Sequence, residues 1–446
     1  MLRLFNSMGR KVEPFTPNDT EHARMYVCGP TVYSYAHIGN ARPAVVFDVL
    51  ARVLRAQVQR VTYARNITDV DDKIIAAASA RDISCEAIST EFTRAYHEDL
   101  AALGVAAPDI EPHATAHITP MIKIIEGLIA EDKAYAAEGH VLYHIPAFPD
   151  YGKLSGANPD EMLAGARVEI APWKRDPRDF VLWKPSELGQ LGWDSPWGFG
   201  RPGWHIECSA MIRTHLGDQI DIHGGGIDLR FPHHENEIAQ GTKARFWVHN
   251  GHVTVSGAKM SKSLGNVLLV RDLLEDTPGE AIRYGLLSAH YRQPLDWTPE
   301  TAKAARAALD RLYGALRDQP AADPSPDDAS TVLAALNDDL NTPAALAALH
   351  ALAGKVHSET NVTRRAELAA SLRKAGAFLG ILQQNPLVWA QAGAVEVDQI
   401  ETLVAQRAEA RANGNWARAD ELREELMAIG VEVEDSGGQS RWRMRT

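Results

Sequence analysis

MYVCGPTVYSYAHIGNARPAVVFDVLARVLRA, residues 25–56, opens on a short apolar run that stops at Gly29 and Pro30. A run of that length, ended by those two residues, reads as a buried strand and its exit turn. Further on, Val45, Val46, Val49, Leu50, Val53 and Leu54 keep the helical repeat. Asn40 suits the cap of that helix, and Pro43 falls in its first turn, where a missing amide costs little. VQRVTYARNIT, residues 58–68, reads as a second strand, with Thr68 capping an acid-led helix, DVDDKIIAAASA. Strand, helix, strand, helix predicts a parallel α/β sheet.

Outward from this core the pattern changes. Residues from about Ala106 to Arg201 read as helices followed by a Pro-, Trp- and Gly-rich stretch, an insertion in the sheet. Strand patterning returns at DQIDIHGGG and continues through FWVHNGHVTV. Beyond Pro299 the chain is alanine-rich helix, interrupted by the linker DQPAADPSPDDAS and ending in a helix, the strand VEVED, a glycine turn and the basic SRWRMRT. A chain of 446 residues needs two to four domains, and 45% hydrophobic content is that of a folded protein. No apolar run suits a signal peptide or a membrane span, so a cytoplasmic protein is expected. Three cysteines (Cys28, Cys85, Cys208) exclude a disulfide framework. Cys85 is expected to fill core. A net charge of -12 leaves nucleic-acid binding open, since local cationic patches decide it.

Two motifs suit phosphate chemistry. HIGN, residues 37–40, stands at a helix start, where amides and the macrodipole face an anion and Gly39 lets the backbone approach. KMSKSLGN, residues 259–266, puts Lys259 and Lys262 three apart on a glycine-bounded loop, two mobile charges for a polyphosphate. Each alone also fits an ordinary turn. FPHHENEIAQ, residues 231–240, is no zincin, because the fifth residue from His234 is Ile238. His233 and Glu237 are instead one helical turn apart, which fits half of a site whose other ligands lie elsewhere, or equally a surface His/Glu pair with Cys28 and Cys208 as buried structural cysteines.

HIGN and KMSKS in this order resemble the two signatures of class I aminoacyl-tRNA synthetases. With CGPTVYSYAHIGNAR, NITDVDDKI, GRPGWHIECSAM and IHGGGIDLRFPHHENE, the chain resembles the cysteinyl-tRNA synthetases nearly end to end. That resemblance implies a Rossmann-like parallel-sheet catalytic domain (1–105 and 206–255) with an inserted connective subdomain (106–205). A KMSKS and stem-contact region (256–298), an α-helical anticodon-stem bundle (299–390) and a small α+β anticodon-binding unit (391–446) would follow. It implies zinc on Cys28, Cys208, His233 and Glu237, gripping the thiol of the substrate. Two thiolates, an imidazole and a carboxylate are a chemically suitable set. Four protein ligands usually close a site, so substrate entry needs a fifth position or a loosened ligand, with Glu237 the expected one.

The reaction implied joins the carboxylate of L-cysteine to the α-phosphorus of ATP and then hands cysteine to tRNA(Cys). An ionised carboxylate needs no general base, so positioning and charge neutralisation must suffice. His37, Gly39, Asn40, Lys259 and Lys262 are expected at ATP, with Mg2+ carried by the nucleotide. Gly224, Gly225 and Gly226, after a predicted strand, are further contacts. Gly29, Thr68, Trp204 and Asp228 are expected around cysteine, Asp228 at its ammonium, although it could equally cap the next helix. Trp416, Trp442, Arg441, Arg443 and Arg445 suit unpaired anticodon bases. A monomer is expected. The rivals are a paralogous ligase joining cysteine to an amino-sugar, and a non-catalytic RNA-binding protein with a structural zinc.

Overall fold

The computed structural model describes residues 1–156, 172–187, 189–261, 264–325, 327–391, 397–436 and 439–444; Lys262 and Arg445 lie outside the described residues. A short hairpin, β1 (Arg3–Asn6) and β2 (Lys11–Pro14), leads into β3 (His22–Val27), the strand expected at MYVCG. Helix α1 (Ile38–Arg55) follows, and its cap is His37, not Asn40. The His37 ring accepts from the Asn40 amide while the Asn40 side chain accepts from the His37 amide, so the helix begins before Asn40. That reciprocal pair satisfies two amides at once, which a lone asparagine cap cannot do. Val45, Val49, Leu50 and Val53 are buried, each contributing about 1.5–3 kcal/mol.

After β4 (Arg60–Arg65) comes α2 (Asp72–Arg81), capped by Asp71 rather than Thr68. The Asp71 carboxylate accepts from the Lys73 amide, whereas Thr68 is buried between Asn66 and Glu207. Aspartate is the stronger cap and carries charge that suits a helix start. Helix α3 (Cys85–Ala102) completes this half, with Cys85 half-buried against the largest core.

The insertion begins with α4 (Ile118–Ala130), and its described residues also include strands that the sequence did not declare. It forms an antiparallel sheet of β5 (Ala134–Ala137), β6 (His140–Tyr143), β7 (Phe180–Pro185) and β8 (Gly200–Pro202). Its strands are only 3 to 6 residues long and shift register between Val141 and Leu142, too short for alternation to declare itself.

Helix α5 (Trp204–Leu216), strand β9 (Gln219–Gly226), the short α6 (Glu235–Ala239) and β10 (Lys243–Asn250) return to the first sheet. Its order is β10-β9-β3-β4, with every pairing parallel. Gly224, Gly225 and Gly226 belong to β9 itself rather than following it. FWVHN lies in β10, but VTV leaves the sheet. It forms β11 (Val253–Val255) of a second sheet with β12 (Ala258–Lys259) and β13 (Leu295–Trp297). The Gly251 amide donates to Tyr291 O, which turns the chain away at that point.

Helices Pro299–Leu316, Ser330–Asn337, Thr342–Ser358 and Val362–Leu379 make the bundle. Helices Val397–Ala412 and Trp416–Ala428 with the hairpin β14 (Val431–Ser436) and β15 (Gln439–Met444) make a small α+β unit around its own apolar cluster. One large core joins α1 and α3 to the bundle, and a second joins the other face of the sheet to the insertion. Asp48 of α1 fastens the first: Arg52 Nε donates to it at 2.8 Å, and the buried Arg283 guanidinium pairs with it while also bonding Leu379 O and Gly104 O. Burial alone would raise the Asp48 carboxyl; Arg283 and Arg52 outweigh that and hold it below its ordinary value.

Candidate active site and metal centre

The C-terminal ends of β3, β4, β9 and β10 meet at a cleft of about 410 Å³. Ligands gather at this edge of a parallel sheet, where neighbouring connections diverge. Cys28 follows β3 directly, and its amide donates to Gly224 O of β9 at 3.1 Å. Cys208 is buried on α5, and His233 and Glu237 occupy successive turns at α6, Nε2 to Oε1 3.2 Å. The sulfur atoms of Cys28 and Cys208 are 3.6 Å apart, and Cys28 Sγ is 3.7 Å from Glu237 Oε1. One ligand atom from each of the four residues lies within 4.8 Å of every other, and all four side chains are buried.

The electrostatics fit a cation. Burial, the Cys208 sulfur and the Glu237 carboxylate push the Cys28 thiol well above its ordinary value. Cys208 receives a lowering hydrogen bond from Cys28, but burial and Glu237 outweigh it. Burial, with His205 and His223 nearby, drives His233 well below its ordinary value, leaving a neutral imidazole. Its Nδ1 meets His205 Nδ1 at 2.9 Å, and burial lowers His205 to about 3. With Nδ1 engaged there, Nε2 is the nitrogen left toward the cluster. Two buried thiols, a neutral ring and a carboxylate are costly together without a cation and suited to a soft divalent one.

A second group, Cys28, His223, His234 and Glu237, meets the same distance limit. The sequence reading missed His223 and His234. His223 stands in β9, where it passes for a core position, and it bonds Glu237 Oε2 at 2.9 Å. His234 Nε2 lies 3.4 Å from Cys28 Sγ, while its Nδ1 meets His249 Nε2 at 2.8 Å. Cys28, Cys208 and His233 line the cleft; His223 and His234 do not.

His37, Gly39, Asn40 and Lys259 line the same cleft. Met260 packs over Gly39, where an added Cβ would fall 2.9 Å from its methyl carbon. Ile38 N donates to Leu268 O and Val270 N to Ala36 O, so the chain leaving the lysine loop is stitched to the first signature. Because His37 Nδ1 accepts an amide, its ring proton sits on Nε2. Gly29 comes so close to Asn66 that a Cβ would fall 1.7 Å from its carbonyl oxygen. Trp204 stacks on the His233 ring at 4.4 Å, and Thr68 and Asp228 stand on the cleft wall with Gly226. Asp228 lies in a 3-10 turn that starts from Gly226. Gly224 and Gly225 do not line the cleft; they face Phe47 and Leu229. In the C-terminal unit Trp416 is 62% exposed, whereas Trp442 is buried in that unit's core. Arg441 pairs with Asp318, and Arg443 with Glu432.

The family model for the class I (C) tRNA synthetase catalytic domain matches residues 14–307, the DALR domain 331–383 and the cysteinyl-tRNA ligase anticodon binding domain 397–443. The chain is 55% identical to the Parvibaculum lavamentivorans cysteine–tRNA ligase over 460 aligned positions, covering 99% of this chain and 98% of that one. It is 56% identical to the Xanthomonas campestris pv. campestris cysteine–tRNA ligase, covering 99% of each. The chain belongs to the cysteine–tRNA ligases. These are class I aminoacyl-tRNA synthetases, ligases whose substrates are an amino acid, ATP and tRNA. The amino-sugar alternative is not favoured, because cysteine–tRNA ligases match from end to end. Solved class I structures share the fold at low identity. A Mycobacterium tuberculosis methionyl-tRNA synthetase gives a TM-score of 0.56 at 15% identity, over 80% of this chain and 89% of that one. An Agrobacterium radiobacter LeuRS gives 0.59 at 13%, over 84% and 85%.

Proposed function

We propose that Cys28, Cys208, His233 and Glu237 hold one zinc ion and that this centre selects cysteine by its thiol. The observation that carries the reading is the convergence of four buried ligand atoms, from three distant stretches of chain, within 4.8 Å. When bound, zinc would supply a soft Lewis acid for sulfur, adding to the roughly 10–200-fold by which shape alone separates near-isosteres such as serine. Of the two groups, the one with Cys208 and His233 is preferred because those two residues line the cleft that a substrate enters, whereas His223 and His234 do not.

The chain's own groups do the rest. Trp204 and Thr68 wall the subsite, Gly29 keeps the two loops close, and Asp228 takes the ammonium. The substrate carboxylate then attacks the α-phosphorus of ATP and pyrophosphate leaves. His37 and Asn40 orient the phosphates, His37 as a donor through Nε2. Lys259 and Lys262 neutralise charge growing on the pyrophosphate, with Mg2+ carried by ATP. Of the glycines proposed at ATP, Gly39 and Gly226 line the cleft, and Gly224 and Gly225 lie behind it.

For the second step, tRNA(Cys) is gripped along the helical bundle (299–390) and read by the terminal unit (391–446), where Trp416 offers the open aromatic face. The remaining limits are proposed as catalytic halves at 1–105 and 206–255, connective insertion at 106–205, and the lysine-loop region at 256–298, although α5 starts at Trp204 and β11 pairs with the strands of the lysine-loop region. We read the enzyme as a cytoplasmic monomer. For the location, no helix among the described residues is long and apolar enough to cross a membrane, and Cys28, Cys85 and Cys208 are all free. The deciding experiment is tRNA charging with cysteine against serine, with and without a zinc chelator. Cysteine charging that is unchanged by complete removal of zinc, with Mg2+ kept, would sink the proposal.

A further inference from the structure

HHENE contains two residues beyond the proposed ligands and the second histidine. Glu235 is wholly buried at the start of α6. Its two oxygens accept the backbone amides of Gly152 at 2.9 Å and Ser155 at 2.8 Å, on a loop of the insertion 83 and 80 residues earlier. Asn236, buried beside it, accepts the Tyr151 hydroxyl, and the Tyr151 ring packs edge-on to Phe231 at 6.4 Å. Three hydrogen bonds therefore run from one end of a five-residue helix to one short loop. A helix that short cannot hold its own geometry, because one turn of hydrogen bonds does not offset the ordering of its backbone. Contacts from outside must fix it, and the two amide bonds to the Glu235 carboxylate are the strongest kind among the three.

We propose that Glu235 is a positioning residue for cysteine recognition. With Asn236 it fastens the loop 151–155 of the insertion to α6, and that latch holds His233 and Glu237 in place. The inference rests on the zinc reading above. Glutamine cannot replace Glu235 well: one side of its amide would set a donor against a backbone donor.

The test uses full-length wild type, Glu235→Gln and Tyr151→Phe. Zinc release to a chelator, backbone hydrogen exchange at 152–155 and KM for cysteine and for ATP in pyrophosphate exchange are measured. In Glu235→Gln, zinc release should quicken by about 10-fold or more, as loss of outer-sphere support usually does. KM for cysteine should rise with KM for ATP unmoved, and exchange at 152–155 should quicken. Tyr151→Phe, which keeps the ring and loses one hydroxyl, should show the same pattern more weakly, and it carries the test if Glu235→Gln does not fold. Variants that melt earlier yet keep wild-type zinc release and the wild-type ratio of the two KM values would overturn the latch, leaving a packing role. A wild type without zinc would bring down the zinc reading and the latch together; a zinc-loaded wild type with unaffected variants rejects the latch alone.

Discussion

At the scale of single residues, two overlapping ligand groups compete, and they separate cleanly by substitution. Cys208→Ser should weaken zinc binding by more than about 100-fold, beyond the usual cost of an outer-sphere change. His234→Gln should leave zinc in place, and atomic emission on both purified variants reads the difference. Metal kept by the first and lost by the second would hand the site to His223 and His234. Lys262→Ala should slow pyrophosphate exchange by about 10²–10³-fold, the usual effect of removing a group that meets developing charge, with KM for cysteine unmoved. Much of this centre was legible in advance, because Cys28 ends a strand at a glycine turn and His233 and Glu237 repeat at one helical turn. His205, His223 and His234 were not. Their value comes from a neighbour across the fold, and nothing in their local spacing separates them from core positions.

Between elements, the legible part was the alternation of strand and helix around residues 25–68, where apolar runs meet clear breakers. The inserted sheet escaped because strands as short as Gly200–Pro202 carry no readable period. The helix starts shifted for a different reason: His37 has no strong statistical claim to a cap, yet the Asn40 side chain completes its ring of bonds. Buried cations were equally silent. Nothing in RPAVVFDV or IRYGLL announces that Arg283 is buried against Asp48. That pair has a pH signature. Asp48 titrates lower in the folded chain than in the unfolded one. Its contribution is thus present above the unfolded value, about 3.9, and lost as pH falls through the lower folded value. Asp48→Asn should destabilise the protein by about 3–5 kcal/mol at neutral pH, because Arg283 is left buried without its partner. Urea unfolding at neutral and acidic pH should show the gap between variant and wild type closing on the acidic side; a constant gap would deny the ion pair its role.

Over the whole molecule, the terminal unit has its own apolar cluster and meets the bundle partly through ion pairs such as Arg317 with Glu434. Removing residues 392–446 should therefore spare cysteine-dependent pyrophosphate exchange while charging of tRNA drops by about 10-fold or more, the loss expected for one or two unstacked bases. Exchange and charging falling in step would show that the unit is part of the catalytic fold. On the roles proposed above, the sulfur gauge and the phosphate clamp lie on one stretch, Cys28 to His37, strung between neighbouring strand and helix. Amino-acid choice and nucleotide grip therefore share a hinge. A change that tunes one disturbs the other, so natural variation along those ten residues should be narrow, and engineering a new substrate here will demand paired substitutions on both flanks.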